Sequence, residues 1–157
     1  MIEQGFAFPD FSLPDQNGDT HTRAEYAGRW LVIYFYPRDN TAGCSLEASN
    51  FAAMIKKYAA QSTAVVGVSA DSVKSHAKFA EKLELPFTLL SDPDRTLLEA
   101  AGVWQQKKMA GREYMGIVRS TYLVDPQGRV RAFWTKVNVA GHAEAVLNTL
   151  GELQGAG

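Results

Sequence analysis

Trp30-Leu31-Val32-Ile33-Tyr34-Phe35-Tyr36-Pro37-Arg38-Asp39-Asn40-Thr41-Ala42-Gly43-Cys44 runs from an apolar segment through a polar turn to a thiol. Residues 30–36 are apolar or aromatic without alternation, the pattern of a strand covered on both faces. Pro37 ends that strand. A helix is predicted over residues 44–60, where Cys44, Ala48, Phe51, Ile55 and Tyr58 share one face at spacings of four and three. A buried strand that feeds a turn and an amphipathic helix opens a strand–helix–strand unit, so the class is α/β. A thiol at a helix start meets unpaired backbone N–H groups and the positive end of the helix dipole. Both favour the thiolate, the reactive form.

The same alternation continues outward from this unit. Thr63–Ser69 reads as a second central strand, and Asp71 and Ser72 can cap a helix over Val73–Leu83. Residues 86–90 read as a third strand, ended by Ser91-Asp92-Pro93-Asp94. A short helix over 96–101 stops at Gly102. Residues 121–124 and Val130–Trp134 flank Asp125-Pro126-Gln127-Gly128, a hairpin turn. On the N-terminal side, 11–14 and Thr20–Thr22 flank Asn17-Gly18 and predict another hairpin. A last amphipathic helix covers 143–153, and the tail 154–157 is expected to fray. The whole implies one domain over 1–157, a central mixed sheet flanked by helices.

Composition excludes several classes of function. Hydrophobic residues are 46% and charged residues 21% of the chain, enough for a core without metal or disulfides. The net charge of −1 gives no basic surface for a phosphate backbone, so no nucleic-acid partner is expected. Apolar runs are of strand length, so no membrane span is expected. Met1-Ile2-Glu3-Gln4-Gly5 has no basic-then-apolar leader pattern. Cys44 is the single cysteine, which leaves no disulfide framework of the secreted kind, and a cytoplasmic location is expected. His21, His76 and His142 share no ligand spacing and there is no C-x-x-C pair, so no metal site is expected. No glycine-rich phosphate loop is present. Trp104, Phe133 and Trp134 read as core or rim residues.

Pro37, Thr41 and Cys44 stand in the spacing P-x-x-x-T-x-x-C. A proline in the turn can shield a thiol and fix the backbone. A hydroxyl three residues before the thiol can accept from and donate to a hydroperoxide. Gly43 lets backbone N–H groups approach a substrate oxygen. A guanidinium nearby would favour the thiolate and the charge on a departing oxygen. Each residue also has a plainer reading: Cys44 as a packed core thiol, Thr41 as an N-cap, Pro37 as a strand terminator. On the same reasoning Arg119 is an edge charge on a strand, Glu47 an exposed helix residue, and Arg38 a nearby cation that points to solvent.

Tyr-Pro-Arg-Asp-Asn-Thr-Ala-Gly-Cys-Ser-Leu-Glu-Ala, residues 36–48, resembles the peroxidatic loop of peroxiredoxins, most closely the PrxQ or bacterioferritin-comigratory-protein subfamily. Phe8-Pro9-Asp10-Phe11 resembles the opening segment of that family. Gly116-Ile117-Val118-Arg119-Ser120-Thr121-Tyr122-Leu123-Val124-Asp125-Pro126 resembles its late arginine-bearing strand. The resemblance implies a thioredoxin-like fold. It makes Cys44 the peroxidatic nucleophile, Thr41 the positioning hydroxyl and Pro37 the shielding residue. Arg119 is then the activating arginine, and Glu47 its orienting partner. Many similar members carry a second cysteine five residues after the first. Here Ser49 stands there, either as the native residue of a one-cysteine member or as a Cys→Ser replacement.

The reaction so implied is reduction of hydrogen peroxide and small organic hydroperoxides. The Cys44 thiolate attacks a peroxide oxygen and becomes a sulfenic acid. An external thiol, by resemblance thioredoxin, glutaredoxin or a small thiol, then resolves it. No metal, flavin or haem cofactor is implied, and the resemblance favours a monomer. Two rivals share the fold or the thiol. A disulfide reductase would need the missing C-x-x-C pair. A redox-sensing or chaperone-like binding protein would transmit Cys44 oxidation to a partner.

Overall fold

The computed structural model describes residues 1–156; Gly157, at the end of the tail expected to fray, lies outside the described residues. An N-terminal hairpin, β1 (Ser12–Pro14) and β2 (Thr20–Thr22), leads through a 3-10 turn (Arg23–Tyr26) to β3 (Trp30–Phe35). Then follow α1 (Ala42–Ala53), α2 (Ile55–Ala60), β4 (Thr63–Ser69), α3 (Val73–Leu83), β5 (Thr88–Ser91) and α4 (Thr96–Ala100). The chain continues as β6 (Trp104–Met109), β7 (Arg112–Ile117), β8 (Ser120–Val124), β9 (Val130–Trp134) and α5 (His142–Ala156).

The central sheet has five strands in the order β5-β4-β3-β8-β9. β3, β4 and β5 pair in parallel, and β8 and β9 run antiparallel to their neighbours. β3 is the middle strand, and residues 31–36 are each at most 1% exposed, as the unbroken apolar run requires. Leu31, Ile33 and Phe35 join one core with Phe8, Leu97, Leu98 and Tyr122. Val32, Tyr34 and Tyr36 join a second with Cys44, Phe51, Phe79, Val146 and Leu150. Thus α1, α3 and α5 cover one face of the sheet, and α4 with the N-terminal segment covers the other. Gly67 on β4 makes room for this packing. A Cβ there would meet Tyr34 Cζ at 2.8 Å and Leu89 Cδ2 at 2.9 Å.

Several expected boundaries are corrected. The helix over 44–60 is two helices, joined at Met54 with φ −106° and ψ 5°. The apolar stripe runs through the break, so periodicity could not mark it. The break is carried by short backbone bonds from Met54 N to Phe51 O and from Lys57 N to Met54 O. α1 also starts two residues earlier than expected, because Thr41 takes the extended N-cap conformation. β5 begins at Thr88 rather than residue 86, since Pro86 has no N–H for a ladder. Ser72, not Asp71, caps α3, accepting from Ser75 N at 3.1 Å. α5 runs on to Ala156. Gln154 is tied down there, its Nε2 donating to Gln61 O at 2.7 Å.

The largest omission is the antiparallel ribbon β6–β7. Its turn, Ala110-Gly111, takes positive φ at both residues, 51° and 81°. That is the hairpin geometry usually marked by Asn-Gly or Asp-Gly. Ala110 hides the turn, and the ribbon is too polar and too exposed to show apolar alternation. Arg119, expected on a strand, lies in the short joint between β7 and β8.

Candidate active site

The turn after β3 is set by local rules. Asn40 has φ 65°, a left-handed conformation that asparagine tolerates. Thr41 then returns to extended backbone, φ −82° and ψ 154°, as N-cap of α1. Its hydroxyl does not cap the helix; it donates to Arg38 O at 3.2 Å. The first N–H groups of a helix have no intrahelical partner, and no side-chain cap satisfies them here. Cys44 is therefore the third residue of the helix, close to this donor-rich end, rather than its first.

The thiol is 1% exposed, yet it does not face only apolar atoms. Arg119 Nη2 donates to Cys44 Sγ at 3.3 Å. Arg119 Nη1 donates to Glu47 Oε1 at 2.7 Å. One guanidinium thus bridges the thiol and a carboxylate one turn further along α1. Gly43 permits the approach, because a Cβ there would lie 3.2 Å from Arg119 Nη2. Burial disfavours the Arg119 charge, but Glu47 and Cys44 outweigh it and hold the guanidinium protonated. Glu47 is 1% exposed, which corrects its default reading as a surface residue. Burial pushes its carboxyl up to about 7, and Arg119 offsets only part of that. Glu47 Oε2 and Tyr34 Oη are the two buried side-chain atoms with no hydrogen-bond partner among the described residues. The Tyr34 hydroxyl is held well above its ordinary range by burial, then by the charges of Glu47 and Cys44.

Of the predicted residues, the fold brings Cys44, Glu47 and Arg119 into direct contact. Thr41 is exposed at the helix start and Pro37 half-buried at the strand end. Arg38 is exposed, as expected. A second cluster was not foreseen. Asp39, behind the turn, accepts from Tyr36 Oη at 2.6 Å and Ser75 Oγ at 2.8 Å. Its other contact is His76 Nδ1, at 2.7 Å. His76 Nε2 meets Leu90 O at 2.9 Å. Asp71 accepts from Asp39 N at 2.9 Å and from Ser69 Oγ at 2.6 Å. Asp39, Asp71 and His76 bring ligand-type atoms within 4.8 Å of one another. Both carboxylate oxygens of Asp39, both ring nitrogens of His76 and Asp71 Oδ2 are engaged by protein groups, so the cluster reads as a tie that pins the turn to β4, α3 and β5. No spacing rule could have found it, because its members come from separate elements.

Sequence alone does not place His142. It is buried at the start of α5, with Nε2 at 2.7 Å from Thr121 Oγ1. Burial, then the Arg119 charge, pushes its ring down to about 4, so it is neutral near pH 7. It has no hydrogen bond to Cys44, and the arrangement is not that of a thiol–histidine hydrolase.

A buried thiol bonded to a guanidinium at a helix start suits attack on an O–O bond. Known proteins bear on that directly. The AhpC/TSA family pattern matches residues 5–133, a span that holds Cys44, Glu47 and Arg119. The chain belongs to the AhpC/TSA family. This peroxiredoxin is 44% identical over 152 residues to Peroxiredoxin Bcp of Bacillus subtilis strain 168, covering 97% of each chain. It is 35% identical to Peroxiredoxin Bcp of Escherichia coli K12, over 96% of this chain and 97% of that one. Among solved structures it is similar to the Xanthomonas campestris bacterioferritin comigratory protein, a protein described by its alkyl peroxide reduction activity. The TM-score is 0.89 at 43% identity, over 97% of both chains. A cysteine-to-serine mutant of Xylella fastidiosa PrxQ aligns with TM-score 0.93 at 37% identity, over 98% of both chains. The thioredoxin-like fold and the resemblance of residues 36–48 are thereby borne out. The peroxiredoxin is a thiol-dependent peroxidase, with a peroxide substrate and a thiol reductant. Among the described residues no helix is long and apolar enough to cross a membrane.

Proposed function

We propose that Cys44 is the peroxidatic nucleophile and that the chain, acting as one domain, reduces hydrogen peroxide and small organic hydroperoxides. The observation that carries this reading is the 3.3 Å contact from Arg119 Nη2 to Cys44 Sγ. The thiolate attacks one peroxide oxygen, the S–O bond forms and the O–O bond breaks. The departing alkoxide or hydroxide takes a proton, and Cys44 is left as sulfenic acid. Arg119 and the N–H groups at the start of α1 stabilise the charge that develops on the oxygens. Glu47 orients Arg119 through its 2.7 Å bond. Thr41 offers its oxygen to the peroxide, and Pro37 screens the turn from water. The alkyl peroxide activity of the Xanthomonas campestris relative supports organic hydroperoxides as substrates.

The single cysteine leaves resolution to an external thiol. Thioredoxin, glutaredoxin or a small thiol attacks the sulfenic sulfur and releases water. A second thiol then frees Cys44 by disulfide exchange. In this reading the protein works as a monomer in the cytoplasm.

Stopped-flow tryptophan fluorescence of the reduced protein with hydrogen peroxide, paired with intact mass, tests the assignment. A fast second-order phase and the gain of one oxygen are expected, both lost in Cys44→Ser. Oxidation at the rate of an ordinary free thiol would overturn it and turn attention to the sensor reading.

A further inference from the structure

The β6–β7 ribbon carries a lysine that behaves unlike its neighbours. Gln106, Lys108 and Met109 are exposed, whereas Lys107 is half-buried. The register explains where its stem goes. Lys107 pairs with Tyr114, and Gln105 pairs with Gly116 on the same face. Gly116 leaves a gap there, and a Cβ would meet Lys107 Cδ at 3.1 Å and Tyr114 Cε2 at 3.3 Å. Through that gap Lys107 Nζ reaches the end of β7 and donates to Ile117 O at 2.9 Å. The Tyr114 ring lies 5.9 Å from the ammonium. Two residues beyond Ile117 stands Arg119, whose Nη2 bonds the thiol sulfur.

The Lys107 ammonium is held by a backbone carbonyl rather than by a carboxylate. Lys107 makes no salt bridge among the described residues. Burial lowers its proton affinity, the Arg119 charge lowers it further, and the Cys44 charge opposes both.

We propose that Lys107 is a positioning residue for peroxide reduction: through its bond to Ile117 O it clamps the joint that carries Arg119 and so holds the guanidinium on the Cys44 sulfur. This rests on the peroxidase reading of Cys44. The charged and titratable groups around the thiol are Arg119 at the joint, Lys107 on β6, Glu47 on α1 and Tyr34 on β3. Asp39 in the turn and His142 on α5 stand behind them.

The test titrates Cys44 by thiolate ultraviolet absorbance and measures the peroxide rate against pH in wild type, Lys107→Met and Lys107→Arg. Lys107→Met is expected to raise the thiol midpoint by about half a unit to one unit. Its peroxide rate should fall roughly three- to tenfold on the acid side and converge with wild type at high pH. Lys107→Arg should restore both. The same pair on a Glu47→Gln background separates the effect of the lysine clamp from titration of Glu47. An unchanged midpoint in Lys107→Met would overturn the proposal, whatever its melting temperature. A slow wild-type reaction with peroxide would instead break the peroxidase reading, and the thiol titration would still judge Lys107.

Discussion

Two buried polar clusters flank the same turn, and they are built on opposite rules. In the Asp39–His76–Asp71 cluster both carboxylate oxygens of Asp39 and both ring nitrogens of His76 have protein partners. In the Cys44–Arg119–Glu47 cluster, Glu47 Oε2 and the adjoining Tyr34 Oη have none. A satisfied network rigidifies, whereas an unsatisfied buried group costs stability and persists where function holds it. The first cluster positions the turn; the second leaves two buried polar atoms unpaired beside the thiol. Their carboxyls differ accordingly. Burial opposes the charge of Asp39, but bonds from His76, Tyr36 and Ser75 win and hold it below the usual range. Burial wins at Glu47, which rises to about 7.

The sharpest way to break this contrast is Asp39→Ala. It removes the buried acceptor of Tyr36, Ser75 and His76 at once and should cost about 3–5 kcal/mol of stability, read as a lower urea midpoint. The folded fraction should keep its peroxide rate within roughly tenfold. Unchanged stability with an abolished rate would collapse the division between the two clusters. Arg119→Ala should act chiefly on the rate: it strands the buried Glu47 carboxyl at some cost in stability, and the second-order rate of the folded fraction with peroxide should fall roughly 10²–10³-fold in stopped flow.

The smallest effect lies in the pH dependence of stability. Glu47 binds its proton more tightly in the folded chain, so its contribution to stability falls as pH rises from 4.5 to about 7. His142 binds its proton less tightly when folded, so its contribution rises with pH between about 4 and 6.5. Each amounts to about 3 kcal/mol, and over their shared window they oppose one another, so the net change is small. Relative to wild type, Glu47→Gln should gain stability toward neutral pH, and His142→Gln should gain it toward acid. Denaturant titrations at several pH values check both signs, and two variants that shift in the same direction would refute the pairing.

Much of this was legible in residue order. β3 showed itself because a strand buried on both faces must be apolar throughout. The turn at Asp125-Pro126-Gln127-Gly128 showed itself because its chemistry is local. Asp125 Oδ1 accepts from Gln127 N and Arg129 N, and Gly128 takes φ 81°. Cys44, with Pro37 and Thr41 at fixed spacing, could be singled out for the same reason. The β6–β7 ribbon escaped, because its turn uses Ala110 and its faces are polar.

By itself the sequence determined the alternation of strands and helices and the single thiol at a helix start, since these depend on neighbours along the chain. Only the tertiary structure decided that Arg119, 75 residues away in sequence, touches that thiol. It also decided that Glu47 is buried, that Asp39 is tied to His76, and that Lys107 reaches the end of β7. Those facts depend on which elements pack together, and the environment made by that packing sets how strongly each charge is felt.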